Sequence, residues 1–296
     1  MCMNSKYVSI IIPTYNDWQR LFVCIEALLN QTYPKEMFEV IIINNNPHNK
    51  IPANFSLPMN YKLLNETKPG SYAARNTGLQ VAKGEILGFT DSDCVPDKDW
   101  IKNAITYFLN NDYCSRIAGH ISLFPKSAKA TVAEKYDKVY SFKQKAYVTK
   151  FGTCVTANLF AYKHVFDSVG FFNESKMSSG DLDWGIEAHK AGYKIDYVEN
   201  VIINHPARNL QELIKKEKRL AGGREKVYRK EDKLLVYFNF FKEARPLLGE
   251  YNSIRNKDKY LSSGDAFLVF LLRIRMRYIR AYEVMKLRLG KKPNRE

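Results

Sequence analysis

This sequence predicts an α/β fold, with a mostly parallel sheet flanked by helices and a helical, basic C-terminal extension. Three observations carry the prediction. Short β-branched runs alternate with helical periodicity through the first half of the chain. The stretch "EILGFT" (85–90) is apolar along its length, as befits a central parallel strand covered on both faces. Turn residues punctuate each change of period, at Pro13, at Asn44 to Pro47 and at Gly84.

The elements follow in order. "YVSIII" (7–12) is a strand ended by Pro13, and residues 17–31 form a helix with Leu21, Ile25, Leu28 and Leu29 on one face. "FEVIIIN" (38–44) is a second buried strand, "YKLLNE" (61–66) a short one, and "SYAARNTGLQVAKG" (71–84) a helix closed by Gly84. Parallel strands joined this way place their carboxyl ends along one crevice. "PTYN" (13–16), "NNNP" (44–47) and "DSDC" (91–94) are therefore expected to meet there. Further on, the pattern predicts a helix at about 98–110, a strand at 116–124, a helix near 128–145 and a glycine-containing stretch at 151–162. A helix from Asp183 to Lys190 stops at Gly192, "YKIDYV" is the next strand, and the pattern beyond His205 is helical.

The chain has 296 residues, 45% apolar, 13% aromatic and 26% charged, a composition of folded rather than disordered protein. Five cysteines in no metal-binding spacing read as reduced thiols. The opening "MCMNSKYVSIIIPTYN" has one lysine before a short apolar run and a proline, which fits neither a signal peptide nor a membrane span and points to the cytoplasm. Charge is uneven: residues 1–204 carry 22 basic and 20 acidic side chains, residues 205–296 carry 24 and 11. A near-neutral body with a basic appendage is expected.

Asp91 and Asp93, one residue apart at a strand end, suit a hard divalent cation, because Mg²⁺ and Mn²⁺ favour carboxylate oxygens and leave positions for substrate phosphates. The alternative is that Asp91 caps a turn while Asp93 and Asp97 cap the following helix. There is no phosphate loop and no GxGxxG after the first strand, so metal and side chains must hold any diphosphate. Arg75 can supply a permanent charge, or be a solvated helix arginine.

Taken together, "VSIIIPTYN", "KPGSYAARNTGLQVAKGEILGFTDSDCVPDKDW" and "SSGDLDWGIEAHKAGYKIDYVENVIINHPAR" resemble the family 2 glycosyltransferases of bacterial surface-polysaccharide synthesis, whose fold is called GT-A. The resemblance spans about residues 6–210. It implies a GT-A catalytic domain over residues 1–210, with a nucleotide-sugar half to about residue 95 and an acceptor half from 96, followed by a helical, basic region over 211–296.

By the same resemblance, Thr14 and Tyr15 lie where the first strand end meets the nucleotide base, and Arg75 lies where the family contacts the nucleotide. Asp91 and Asp93 match the family's DxD, the first touching ribose or metal and the second the metal, Mn²⁺ or Mg²⁺. Asp181 matches the general base, with Asp183 two residues on as the second choice and a helix N-cap as the structural alternative. His205 matches a histidine that sometimes completes the metal or diphosphate site, or is hydrogen-bonded structure. Trp184 stacks on an acceptor sugar or packs in the core. One departure is Asn44, where the family commonly has an aspartate to hold the base; its amide can still pair with uracil.

The implied activity is a metal-dependent, inverting hexosyl or N-acetylhexosaminyl transfer from a nucleotide sugar, a UDP-sugar by this reading, to a lipid-linked or oligosaccharide acceptor. One base opposite the leaving group gives a single displacement. Residues 264–292 interleave Arg273, Arg275, Arg277, Arg280, Lys286 and Arg288 with apolar side chains. That mixture suits an interfacial helix on anionic lipid at the cytoplasmic face of the inner membrane, or a helix packed on the domain with a basic face. No nucleic-acid-binding motif accompanies the charge, so no nucleic-acid partner is expected. The competing class is a non-catalytic, basic membrane- or nucleic-acid-binding protein that retains a sugar-nucleotide fold.

Overall fold

The computed structural model describes residues 5–53, 55–223, 233–247, 249–258 and 261–291. Cys2 and residue 292 of the expected membrane segment lie outside them. The chain divides into two compact units, one of residues 1–122 and 142–205, the other of residues 123–141 and 206–296.

The first unit is built on β1 (Val8–Thr14), β2 (Phe38–Asn44), β3 (Tyr61–Asn65) and β4 (Ile86–Phe89), with α1 (Trp18–Leu29) and α2 (Ser71–Val81) between them. Strand β1 runs parallel to β2 and β4, and β2 parallel to β3, in a register that sets Thr14 beside Asn44 at the carboxyl ends. Every residue of β1, β2 and β4 is buried.

The reason is visible in how the side chains alternate. Val8, Ile10, Ile12, Val40, Ile42 and Ile86 belong to one core, with Leu21, Ile25 and Leu28 of α1. Ile11, Ile41, Ile43, Leu87 and Phe89 belong to another, with Ala74 and Leu79 of α2. The period of two along each strand sends alternate residues to opposite faces, and both faces are covered by helix. Unbroken isoleucine runs are what such a doubly covered sheet requires.

After β5 (Val95–Pro96), α3 (Trp100–Asn110) and β6 (Arg116–Phe124) come α4 (Val132–Tyr140), α5 (Gln144–Phe151), β7 (Leu159–Tyr162), α6 (Lys163–Val169), α7 (Gly180–Lys190) and β8 (Ile195–Pro206). The described strands form one eight-stranded sheet in the order β3-β2-β1-β4-β7-β6-β8-β5. Only its first half is parallel, since β7 is antiparallel to both β4 and β6, and β5 to β8. Helix α3 joins α1 on one face, and α6 and α7 join α2 on the other.

The single helix expected near 128–145 is two. The break falls at Phe142, in the left-handed backbone region at φ 49°, where a bulky residue sits at a steric cost. Its ring packs against His205 at 4.8 Å between centroids. The chain passes from the second unit to the first at this residue.

The second unit is helical: α4 with α8 (Leu210–Gly222), α9 (Lys233–Ala244), α10 (Glu250–Lys257) and α11 (Ser263–Arg288). Tyr136, Leu213, Ile254, Val269, Phe270 and Met276 form its core. The buried Asp137 accepts from Arg208 at 3.3 Å and from Lys216 at 3.5 Å. Much of the basic row of α11 is spent inside this unit. Arg273 pairs with Glu250 at 2.9 Å, Arg280 with Glu217 at 2.5 Å and Lys286 with Glu283 at 2.6 Å. Arg277 donates to the carbonyls of Glu243 and Arg245 at the end of α9. Among the described residues, no helix is long and apolar enough to cross a membrane.

Candidate active site

The carboxyl ends of β1, β2 and β4 share one edge, and each carries polar groups. At the end of β1, Asn16 takes a left-handed conformation at φ 56°, which asparagine tolerates. Its amide oxygen accepts from Asn46 at 3.2 Å and Asn49 at 3.0 Å. Asn45 holds the loop before α2, donating to the carbonyls of Glu66 and Lys68 and accepting from the Gly70 N–H. Asn44 is buried, with its oxygen accepting from the Asn46 N–H at 3.0 Å and its NH₂ donating to Asn65 at 3.3 Å. The "NNN" run thus ties three strand ends together. Thr14 is buried, and its Oγ1 has no hydrogen-bond partner among the described residues, whereas Tyr15 is 64% exposed.

The two aspartates after β4 differ in their company. Asp91 pairs with Arg75, a buried guanidinium on α2. Asp93 Oδ2 lies 3.3 Å from His205 Nε2 and 3.4 Å from Arg20 Nη1 of α1. His205, at the end of β8, is buried beneath Phe142. Asp93, Cys94 and His205 bring one ligand atom each within 4.8 Å of one another. Burial first, then the charges of Asp93 and Asp91, push the Cys94 thiol well up. It remains an S–H at neutral pH, so the carboxylate and the imidazole are the donors that suit a hard cation.

Asp181 stands in the first turn of α7 and is 9% exposed. Its Oδ1 accepts from Tyr72 Oη at 2.8 Å and the Leu182 N–H at 3.0 Å; its Oδ2 accepts from the Thr156 N–H at 3.1 Å and Thr156 Oγ1 at 3.5 Å. Burial, with the Asp181 charge adding to it, raises the Tyr72 phenol well above the ordinary tyrosine range, so it stays a donor. The approach of Tyr72 depends on Gly180, because a Cβ there would lie 2.9 Å from the ring. Asp183 points elsewhere, half-buried and paired with Lys176.

Trp184 is a core residue. Its indole stacks on Phe166 at 4.1 Å, its N–H donates to the Gly170 carbonyl at 2.8 Å, and the side chain is buried in the core with Phe172 and Ala188. Core packing, the second of its two readings, is what the geometry shows.

The structure also adds residues that the sequence reading passed over. Tyr72 lies three positions before Arg75 in "SYAARN", a spacing that puts both on one face of a helix. Tyr72 therefore reaches Asp181 while Arg75 reaches Asp91. Thr156, from the segment before β7, and Arg20 and Phe142 carried no such signal.

The sequence model of glycosyl transferase family 2 matches residues 9–168. This chain belongs to that family. A glycosyltransferase of Haloferax volcanii, AglE, is 34% identical over 233 residues, covering 77% of this chain and 76% of its own. A dolichyl N-acetyl-α-D-glucosaminyl phosphate 3-β-D-2,3-diacetamido-2,3-dideoxy-β-D-glucuronosyltransferase of Methanococcus voltae is 24% identical over 221 residues, covering 69% of this chain and 68% of its own. Among solved structures, a mannosyltransferase of Pyrobaculum calidifontis in complex with GDP-Man and Mn²⁺ superposes with a TM-score of 0.56. It is 15% identical, and the match covers 96% of this chain and 86% of that one, a likeness of fold. The sheet with helices on both faces is thus the GT-A architecture, and the chain is a glycosyltransferase of the family 2 type.

Proposed function

We propose that this family 2 transferase moves a sugar from a nucleoside diphosphate donor, a uridine diphosphate sugar by our reading, to a hydroxyl of a lipid-linked or oligosaccharide acceptor in glycan synthesis, with inversion at the anomeric carbon. One observation carries the proposal: a single helix, α2, holds the carboxylate expected to act as base through Tyr72 and the first aspartate of the DSD through Arg75. The two halves of a displacement, proton removal and leaving-group departure, are thereby tied to one rigid element.

Asp181 would take the acceptor hydroxyl proton as the new bond forms. A carboxylate offers about four lone-pair positions, and four donors occupy them here. The weakest is Thr156 Oγ1 at 3.5 Å, a hydroxyl that can rotate away and leave its place to the incoming proton. The three shorter contacts keep the carboxylate aimed. Arg75 supplies permanent positive charge beside Asp91 for the diphosphate, and Thr14 offers an unspent hydroxyl at the neighbouring strand end.

The donor set fits a divalent cation, with Asp93 and His205 as the protein ligands and remaining positions for phosphate oxygens and water. A bound Mn²⁺ or Mg²⁺ would offset charge developing on the departing diphosphate. The deciding experiment is transfer and donor hydrolysis with a panel of UDP- and GDP-sugars, with Mn²⁺ or with EDTA. Metal-dependent turnover that disappears in Asp181→Asn is the expected result. Full turnover in that variant, or no turnover with any donor, would count against the proposal.

A further inference from the structure

We propose that the second unit docks on an anionic lipid bilayer through the outer face of α9 and the neighbouring aromatic stripe of α11, rather than through the basic row of α11. This deepens the reading of a lipid-linked acceptor and rests on it. Helix α9 is apolar on two sides. Val236 is buried, and Phe240 packs edge-on against Tyr278 at 5.6 Å, which accounts for one side. On the other, Phe238 is 66% and Phe241 69% exposed, and Tyr237 is exposed beside them. A helix at an ordinary protein–water surface carries polar residues there. The patch continues on α11, where Tyr278 and Tyr282 are exposed and stacked at 6.5 Å. Phe267, Leu271, Tyr278 and Tyr282 are spaced i, i+4, i+11, i+15, one stripe of an α-helix.

Charge selects the occupant. Residues 205–296 carry 24 basic and 11 acidic side chains, so two copies of this surface repel one another while anionic headgroups attract it. Arg275 is exposed beside the aromatic stripe, whereas Arg273, Arg280 and Lys286 are committed to glutamates. Phenylalanine and tyrosine rings framed by basic groups are the side chains that enter the interface between headgroups and acyl chains.

The test is co-sedimentation of the full chain with vesicles of phosphatidylcholine, alone or mixed with phosphatidylglycerol. The wild type should sediment with the mixed vesicles. Phe238→Ser with Phe241→Ser should lower partitioning at least about tenfold on either vesicle. Arg275→Glu should lower it about fivefold on the mixed vesicles alone. Both variants should keep the wild-type thermal midpoint and donor hydrolysis, for which water is the acceptor. Vesicle binding without donor hydrolysis by any protein would leave this surface standing and remove the transfer reading instead. The proposal is overturned by a wild type that stays in the supernatant, or by a double variant that binds as the wild type does. A wild-type dimer that the double variant dissolves would assign the face to a second copy and also overturn it.

Discussion

Tyr72 donates its phenol hydrogen to Asp181 Oδ1 at 2.8 Å across a sequence separation of 109 residues. The contact joins α2, which lies between β3 and β4, to α7, whose first turn carries the proposed base. Gly180 makes room for it and Thr156 closes the other side of the carboxylate. A base held by fixed donors loses little orientational freedom when it acts.

Tyr72→Phe keeps the buried ring and removes only the hydroxyl. A hydrogen bond to an ionised group contributes about 1.5–3 kcal/mol, so a fall of roughly tenfold or more in turnover is expected, with donor affinity unchanged. Steady-state kinetics with titration of the nucleotide sugar checks this. An unchanged turnover would mean that Asp181 is positioned without the phenol.

Asp93 and His205 face each other at 3.3 Å, and the proposed metal site would rest on this pair rather than on the Cys94 thiol beside it. Asp93→Asn and His205→Gln should raise the Mn²⁺ concentration needed for activity and cut maximal transfer by about a hundredfold or more. Cys94→Ser, in which the replaced thiol is already protonated and buried, should leave the Mn²⁺ dependence within about threefold. Metal titrations of the three variants decide the ligand set, and equal losses in all three would place sulfur among the ligands.

Arg116 is fully buried and donates to the carbonyls of Gly185 at 2.9 Å, Gly152 at 3.1 Å and Tyr193 at 2.7 Å. These partners are carbonyls rather than a carboxylate, and burial lowers its pKa to about 10. Arg116→Met removes a desolvated charge but orphans three buried acceptors, and the orphaning wins. A loss of about 3 kcal/mol is expected, read as a lower urea midpoint at unchanged slope. Transfer should weaken as well, because Gly185 lies in the helix that presents Asp181.

The parallel half of the sheet was legible because its strands are short, β-branched and buried on both faces, which leaves a continuous apolar run in the sequence. The crevice was legible for the same reason, since strand ends in such sheets share an edge. The antiparallel half was harder to see: β6 passes from buried to part-exposed along its length, and β8 alternates only from Val201 on, after an exposed stretch at Glu199 and Asn200. Trp184 could not be placed by type alone, because an indole beside two aspartates looks the same in a core as in a sugar site. Only its stacking on Phe166 separates the two. The roles of Arg273, Arg280 and Lys286 were hidden likewise, since their glutamate partners lie on the same helix in one case and on others in two.

The four described cysteines, Cys24, Cys94, Cys114 and Cys154, are buried in the first unit, and burial is the leading cause that raises each thiol, the last two to about 12. In the unfolded chain these thiols ionise near pH 9, while in the folded unit they keep their protons. The folded state therefore binds more protons than the unfolded one above that pH. The stability they contribute is complete below about pH 8.5 and is lost as pH rises toward 12, at up to about 1.4 kcal/mol per thiol per pH unit. Lys216 in the second unit, lowered to about 8, works the other way across the same range. Following the first unit alone, by urea unfolding monitored through the emission of Trp18, Trp100 and Trp184, leaves Lys216 out, and staying below pH 10 keeps the raised tyrosines, Tyr72 among them, largely protonated in the unfolded chain too. The midpoint should fall between pH 8 and pH 10, and Cys24→Ala with Cys154→Ala should flatten that fall by about half. A midpoint that holds steady across the range in the wild type would mean that these thiols ionise as readily folded as unfolded, and would overturn the prediction.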